Sequence, residues 1–263
     1  MNDTPLTPQQ FVEDFDRKRQ EFLSRRGKVV QSQKHTQKEA AYWEMVFSKE
    51  STPTTPQRLP IVQEMEYQDA AAKVRELFKD RAQEISDIEN RPFKWEFSPE
   101  LVGNITQLIR YFINDPECAF PLSKGLFLYG PHGTTKTETM GIMQRFCQNE
   151  KLSKSFKMSN MSKIYTDTKV DKDYNPIEQA VQFTRCFDEF GRHMGPVARF
   201  GEPIDVNEAI IEQRYERFKH YGQITFLISN CDTRQLGEGL SQMVFDRLRS
   251  MVTSIKFTGH SKR

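Results

Sequence analysis

The chain has 263 residues, enough for one sizeable α/β domain and a smaller appendage. With 38 Lys and Arg against 36 Asp and Glu the formal net charge is +2, so overall charge selects no partner. The four cysteines include no Cys-x-x-Cys pair, which argues against a zinc site or a disulfide framework and fits a reducing cytoplasm; no secretory or membrane-spanning apolar run is present either.

From about Pro8 to Phe47 the chain reads as helical, with Phe11, Phe15, Phe22 and Leu23 on one side. Between Arg17 and Lys38 there are eight Lys and Arg against the single acid Glu21. Basic residues with Phe22, Tyr42, Trp43 and Phe47 nearby suit nucleic acid, by phosphate neutralisation and base stacking. The plainer alternative is a solvated face over a buried aromatic stripe. Ser51-Thr52-Pro53-Thr54-Thr55-Pro56, closed by Pro60, is linker or turn chemistry. Ala71, Val74, Phe78, Ile85 and Ile88 then make one helical stripe. Residues 1–90 are expected to be a helical N-terminal region with a linker near 51–60 and a basic stretch open to DNA, and residues 91–263 the main domain.

After Arg91 the texture changes. Phe93-Lys94-Trp95-Glu96-Phe97 alternates like a short strand whose aromatics belong to a core. Ser98-Pro99-Glu100 starts a helix, with Leu101, Ile105, Leu108, Ile109 and Phe112 as its buried face. The order beyond is strand 126–129, helix 136–149, a strand near 156–158, a helix near 176–182 and a strand ending at Asp188. Then come helix 206–219, strand 224–228, helix 241–250 and strand 252–257. Alternating strands and helices imply an α/β fold with a central parallel sheet flanked by helices.

Gly130-Pro131-His132-Gly133-Thr134-Thr135-Lys136-Thr137 follows the apolar run Gly125 to Tyr129 directly. A buried strand, a glycine-containing loop, then lysine and threonine opening a helix make the P-loop arrangement for nucleoside triphosphate. Small residues let backbone N–H groups approach phosphate oxygens, and the helix adds its positive end. Lys136 is placed to reach the β- and γ-phosphates of ATP, and the Thr137 hydroxyl to ligate Mg2+. Thr135 stands where such loops usually have glycine. A β-branched residue resists positive φ, so strain or an altered loop shape is expected there.

Later residues complete the constellation. Asp188, at a strand end, is placed to help hold Mg2+, and Glu189 to orient or deprotonate the attacking water. Asn230, at the tip of the next strand, is placed for the γ-phosphate or the lytic water, an ordinary turn cap being its other role. Arg247, with Arg249 in reserve, sits where a neighbouring subunit's γ-phosphate could receive it; helix-end arginines also simply complement the dipole. Arg263 is a candidate phosphate contact within the same subunit.

As an ordered set, Lys124 to Gly130, Phe187-Asp188-Glu189-Phe190-Gly191, Ser229-Asn230, Asp246-Arg247-Leu248-Arg249 and Phe257-Thr258-Gly259 resemble the AAA+ ATPases of the DnaC-type helicase-loader family, with IstB-type transposition helpers as close relatives. Gln213-Arg214-Tyr215 also looks like that family's arginine–tyrosine pair. The resemblance covers roughly residues 93–263. It implies an AAA+ core forming nucleotide-dependent homo-oligomers, with a replicative DNA helicase and single-stranded DNA as partners. An IstB-like helper would instead engage a transposase on duplex DNA. A binding adaptor with a degenerate P-loop is the non-enzymatic alternative, and Thr135 is its main support.

Overall fold

The computed structural model describes residues 61–170, 175–199 and 202–258. Helix α1 (Tyr67–Glu89) and helix α2 (Pro99–Phe112) precede strand β1 (Gly125–Tyr129) and helix α3 (Lys136–Asn149). Strand β2 (Lys157–Asn160) runs into α4 (Met161–Val170), followed by α5 (Pro176–Ala180) and β3 (Arg185–Asp188). A small hairpin of β4 (Val197–Arg199) and β5 (Glu202–Ile204) leads to α6 (Val206–Tyr221) and β6 (Thr225–Ser229). Helices α7 (Thr233–Gly239) and α8 (Gln242–Met251) and strand β7 (Val252–Lys256) close the described chain.

Five strands form one sheet in the order β2-β3-β6-β1-β7, and every pairing is parallel. The side chains of β1 show why both faces are covered. Leu126 and Leu128 join one core with residues of α1, α2 and α3, while Phe127 joins the other, built on α4 to α8. Near-continuous burial of β1 and β6 is what a parallel sheet demands. The expected parallel sheet flanked by helices is therefore present, with the P-loop at the C-terminal end of β1. At one edge of the sheet, β2 is four residues long and opens on the exposed Lys157. At the other, the Asn104 side-chain amide of α2 donates to the Lys256 carbonyl of β7, 3.0 Å away.

The start of α2 follows the sequence expectation: Ser98 accepts from the Leu101 N–H and Pro99 opens the helix. Two expectations need correction. Residues 93–97 form no strand; the segment packs on α1 instead, the Trp95 indole donating to the Phe78 carbonyl at 2.7 Å with Phe78 edge-on to both Trp95 and Phe97. Its alternation comes from rings seated on a helix, with no strand beside it to pair. The stripe on α1 fades after Phe78: Ala70, Val74 and Phe78 are buried, whereas Ile88 is 78% exposed. Ala70, Val74 and Phe78 of α1 share one core with residues of α2, α3 and β1. The helix expected near Pro8–Phe47, the basic stretch and the linker near 51–60 lie outside the described residues.

Sequence reading missed α4, α7 and the β4–β5 hairpin. Helix α4 buries only Met161, Ile164 and Thr168, and its cap Asn160, which accepts from the Lys163 N–H at 3.0 Å, is also the last residue of β2. Helix α7 did carry a signal: Asp232 and Gln235 form a capping box.

Candidate nucleotide site

The P-loop is a tight turn whose geometry follows from its residues. Gly130 has φ 148°, and a Cβ there would stand 2.0 Å from the Phe257 carbonyl oxygen, so only glycine fits. Thr135 adopts φ 64° and ψ 8°, the left-handed region that its side chain resists. Strain is thus where the sequence places it, while the loop keeps its turn into α3: the Thr139 N–H bonds the Thr135 carbonyl at 2.8 Å.

Lys136 is buried and curls back into this loop. Its ammonium donates to the carbonyls of Gly130 and Pro131, both at 2.8 Å, and to Thr134 Oγ1 at 3.1 Å. Asn230 Oδ1 at the tip of β6 lies 3.0 Å from the same ammonium, whose three N–H groups are shared among these four acceptors. Burial draws the Lys136 pKa down to about 8, with the Asp188 charge opposing. Thr137 Oγ1 lies 3.3 Å from Asp188 Oδ1, so the hydroxyl and carboxylate expected to share a metal sit side by side. Burial raises the Asp188 pKa, against hydrogen bonds from the Glu189 N–H and Thr137.

Glu189 also takes a left-handed φ, of 60°. Its carboxylate accepts from Ser162 Oγ at 2.9 Å and Asn160 Nδ2 at 3.2 Å, and it pairs with Arg192. Burial works against its ionisation. The bonds from Ser162 and Asn160 and the charge of Arg192 outweigh that and hold its pKa below the ordinary value. Ser162 Oγ is also 3.1 Å from His193 Nε2. Asn160, Ser162 and Arg192 were missed in sequence. Their one signal is register, since Asn160 pairs with Asp188 across β2 and β3.

One cavity of ≈ 1490 Å³ takes in the loop from His132 to Thr137, together with Asp188, Glu189 and Asn230. Its far wall is the end of α1 and residues 91–98. Helix α1 is tied to the P-loop helix by Arg81, which donates to both carboxylate oxygens of Glu138, at 2.7 and 3.1 Å. The chemistry of the donor set fits magnesium, which takes few protein oxygens and keeps substrate and water for the rest. Among the described residues no cluster of three or more His, Cys, Asp or Glu side chains could hold a metal, and no helix is long and apolar enough to cross a membrane.

Arg247 does not line this cavity. It lies on α8, its guanidinium 3.1 Å from Glu212 Oε1 and 5.3 Å from the centre of the Tyr215 ring. Arg249 lies 5.9 Å from the Phe245 ring centre on the same helix, and Arg263 lies outside the described residues. Arg214, of the arginine–tyrosine pair, is fully buried. It donates to Thr225 Oγ1 and to the carbonyls of Val181, Phe183 and Ile224, riveting α6 to the start of β3 and β6. Burial, then the charges of Arg217 and Arg185, pull its pKa down to about 9, which leaves it charged at neutral pH.

No family model and no curated protein matches the sequence. Among solved structures, the chain is similar to a protein described as a primosome component from Streptococcus pyogenes serotype M3, with TM-score 0.49 and 16% identity over 63% of this chain and 84% of that one. It is similar to DnaI at TM-score 0.49 and 16% identity, over 65% and 88% of the two chains. The DnaC helicase loader gives TM-score 0.45 and 13% identity, over 63% and 94%. Similarity this distant is silent on activity and partners.

Proposed function

We propose that this chain is an AAA+ ATPase of the helicase-loader type, binding and hydrolysing ATP at the P-loop while assembling with copies of itself on DNA. What supports this reading above all is the bond between Lys136 and Asn230, which joins the P-loop to the tip of the next strand inside one cavity with Asp188 and Glu189. A P-loop relic has no need of both acids and a polar strand tip around it. Thr135 weighs less for an adaptor than its sequence position suggests, because it adopts the left-handed turn that glycine would.

In this proposal the backbone of Gly130 to Thr135 cradles the phosphates, Lys136 exchanges loop carbonyls for phosphate oxygens, and Thr137 and Asp188 hold Mg2+. The metal, when bound, neutralises phosphate charge and orients the group being transferred. Glu189 takes the proton of the attacking water, and Asn230 keeps that water or the γ-phosphate in place. Arg247 acts on the nucleotide of an adjoining copy, and Arg263 contacts phosphate within its own subunit. The replicative helicase and single-stranded DNA as partners rest on the sequence resemblance, and residues 1–90 as the contact on analogy with loaders of that family.

Light scattering of MgATP-dependent assembly on single-stranded and duplex DNA, with wild type and Lys136→Ala side by side, tests the reading. Assembly on single strands that needs Lys136 is the expected result. A duplex preference points to the transposition helper, and indifference to ATP in both proteins points to the adaptor.

A further inference from the structure

The arginine–tyrosine pair on α6 divides its labour. Arg214 points inward and fastens the helix through four hydrogen-bonded partners, so the face carrying Glu212 and Tyr215 is fixed in direction. Those two residues are three apart and so lie on one side of the helix. Across from them on α8 is Arg247, against Glu212 and near the Tyr215 ring. The same ring has Lys219 of α6 5.6 Å from its centre. Beside the pair runs an open groove of ≈ 570 Å³, whose polar lining includes Asp246, Gln242 and Ser250.

Two magnitudes set what each contact can do. The Arg247–Glu212 pair is solvent-accessible, at 27% and 43% exposure, and such pairs contribute little. A triphosphate offers more charge and several acceptor oxygens in bidentate range, so it out-competes one half-exposed carboxylate. The aromatic ring presents no competing charge, so it can stay against the guanidinium while the anion changes.

We infer that Tyr215 is a positioning residue that aims Arg247, and that Glu212 masks Arg247 in the free subunit and yields it to the phosphate end of a nucleotide held by a second copy of this chain. This rests on the reading that Arg247 acts between subunits. Assembly then exchanges one anion for another at a guanidinium already in place, which lowers the ordering cost of forming the joint. In the free subunit Glu212 meanwhile covers Arg247 against stray phosphate or nucleic acid.

The experiment is ATP hydrolysis per subunit against protein concentration, for the full chain, with Glu212→Gln, Tyr215→Leu, Tyr215→Phe and Arg247→Ala, nucleotide binding serving as the folding control. Glu212→Gln should move the half-maximal concentration down by about two- to fivefold, the size of an exposed ion pair. Tyr215→Leu should lower the plateau by roughly three- to tenfold, and Tyr215→Phe should restore it. If Arg247→Ala loses the plateau while Glu212→Gln and Tyr215→Leu both match wild type, the masking and aiming roles are overturned alone. If Arg247→Ala keeps the wild-type curve, the action of Arg247 between subunits fails and this inference fails with it.

Discussion

The turn after β1 and the turn after β3 line the same cavity, and each bends through one non-glycine residue in the left-handed region, Thr135 at φ 64° and Glu189 at φ 60°. They hold their key side chains by opposite means. Lys136 is gripped mostly by its own loop, through the Gly130 and Pro131 carbonyls and the Thr134 hydroxyl, and is buried. Glu189 is held mainly by side chains from another strand, Asn160 and Ser162 at the β2–α4 junction, with the exposed Arg192 of its own turn beside them. The first turn is thus set by local backbone, the second by contacts that can be exchanged. Strain in the backbone recurs at both, as it does where function fixes a conformation.

Three predictions press on this contrast. The largest effect should come from Glu189→Gln, which keeps the shape of the acid turn and removes the proposed base. Turnover should fall by about 10²- to 10⁴-fold with ATP binding near wild type. Single-turnover hydrolysis beside a nucleotide titration checks it, and wild-type turnover would remove Glu189 from the chemistry.

The next concerns Lys136, whose pKa in the free site lies near 8 because of burial. Below that pH the cation is present before and after binding, so affinity is flat. Above it the free lysine is neutral and must take up a proton when the triphosphate binds. Affinity should therefore fall with rising pH above 8, by about tenfold per unit for one proton. Calorimetry at pH 8.5 in buffers of different ionisation heat should show proton uptake. An absence of uptake would mean that Lys136 is charged in the free loop and that burial does not govern it.

The smallest effect belongs to Thr135→Gly. Left-handed φ costs a non-glycine residue roughly 1–2 kcal/mol, and glycine returns about 0.5–1 kcal/mol of that through unfolded-chain entropy. A net gain of up to about 1 kcal/mol is expected, or about 2–4 °C in Tm by scanning calorimetry. A loss of stability would show that the threonine makes a contact outweighing its strain.

Much of the sheet was legible because the buried strands announce themselves by local apolar runs, and the start of α2 by its cap, Ser98. The P-loop, Asp188 and Asn230 were legible because they follow strand ends in chain order. The holders of Glu189 were not, since Asn160 becomes its neighbour only through the pairing of β2 with β3. Residues 93–97 misled for a related reason. The alternation reports rings turned to one side, and Phe78 of α1 meets Trp95 and Phe97 edge-on there while Phe97 stays 48% exposed. Arg214 read as a motif, but its burial against three carbonyls is a property of the folded body alone.

The two edges of the sheet bear on how copies of the chain can meet. A parallel sheet with open borders is a template, ready to recruit a stray strand into a growing fibre. Here the β2 border is only four residues long and begins with a solvated lysine, and at the β7 border an asparagine amide has already taken the Lys256 carbonyl. Backbone-to-backbone stacking therefore has less to seize at these borders, and the assembly proposed above would rest on helical surfaces, a kind of contact that can be undone.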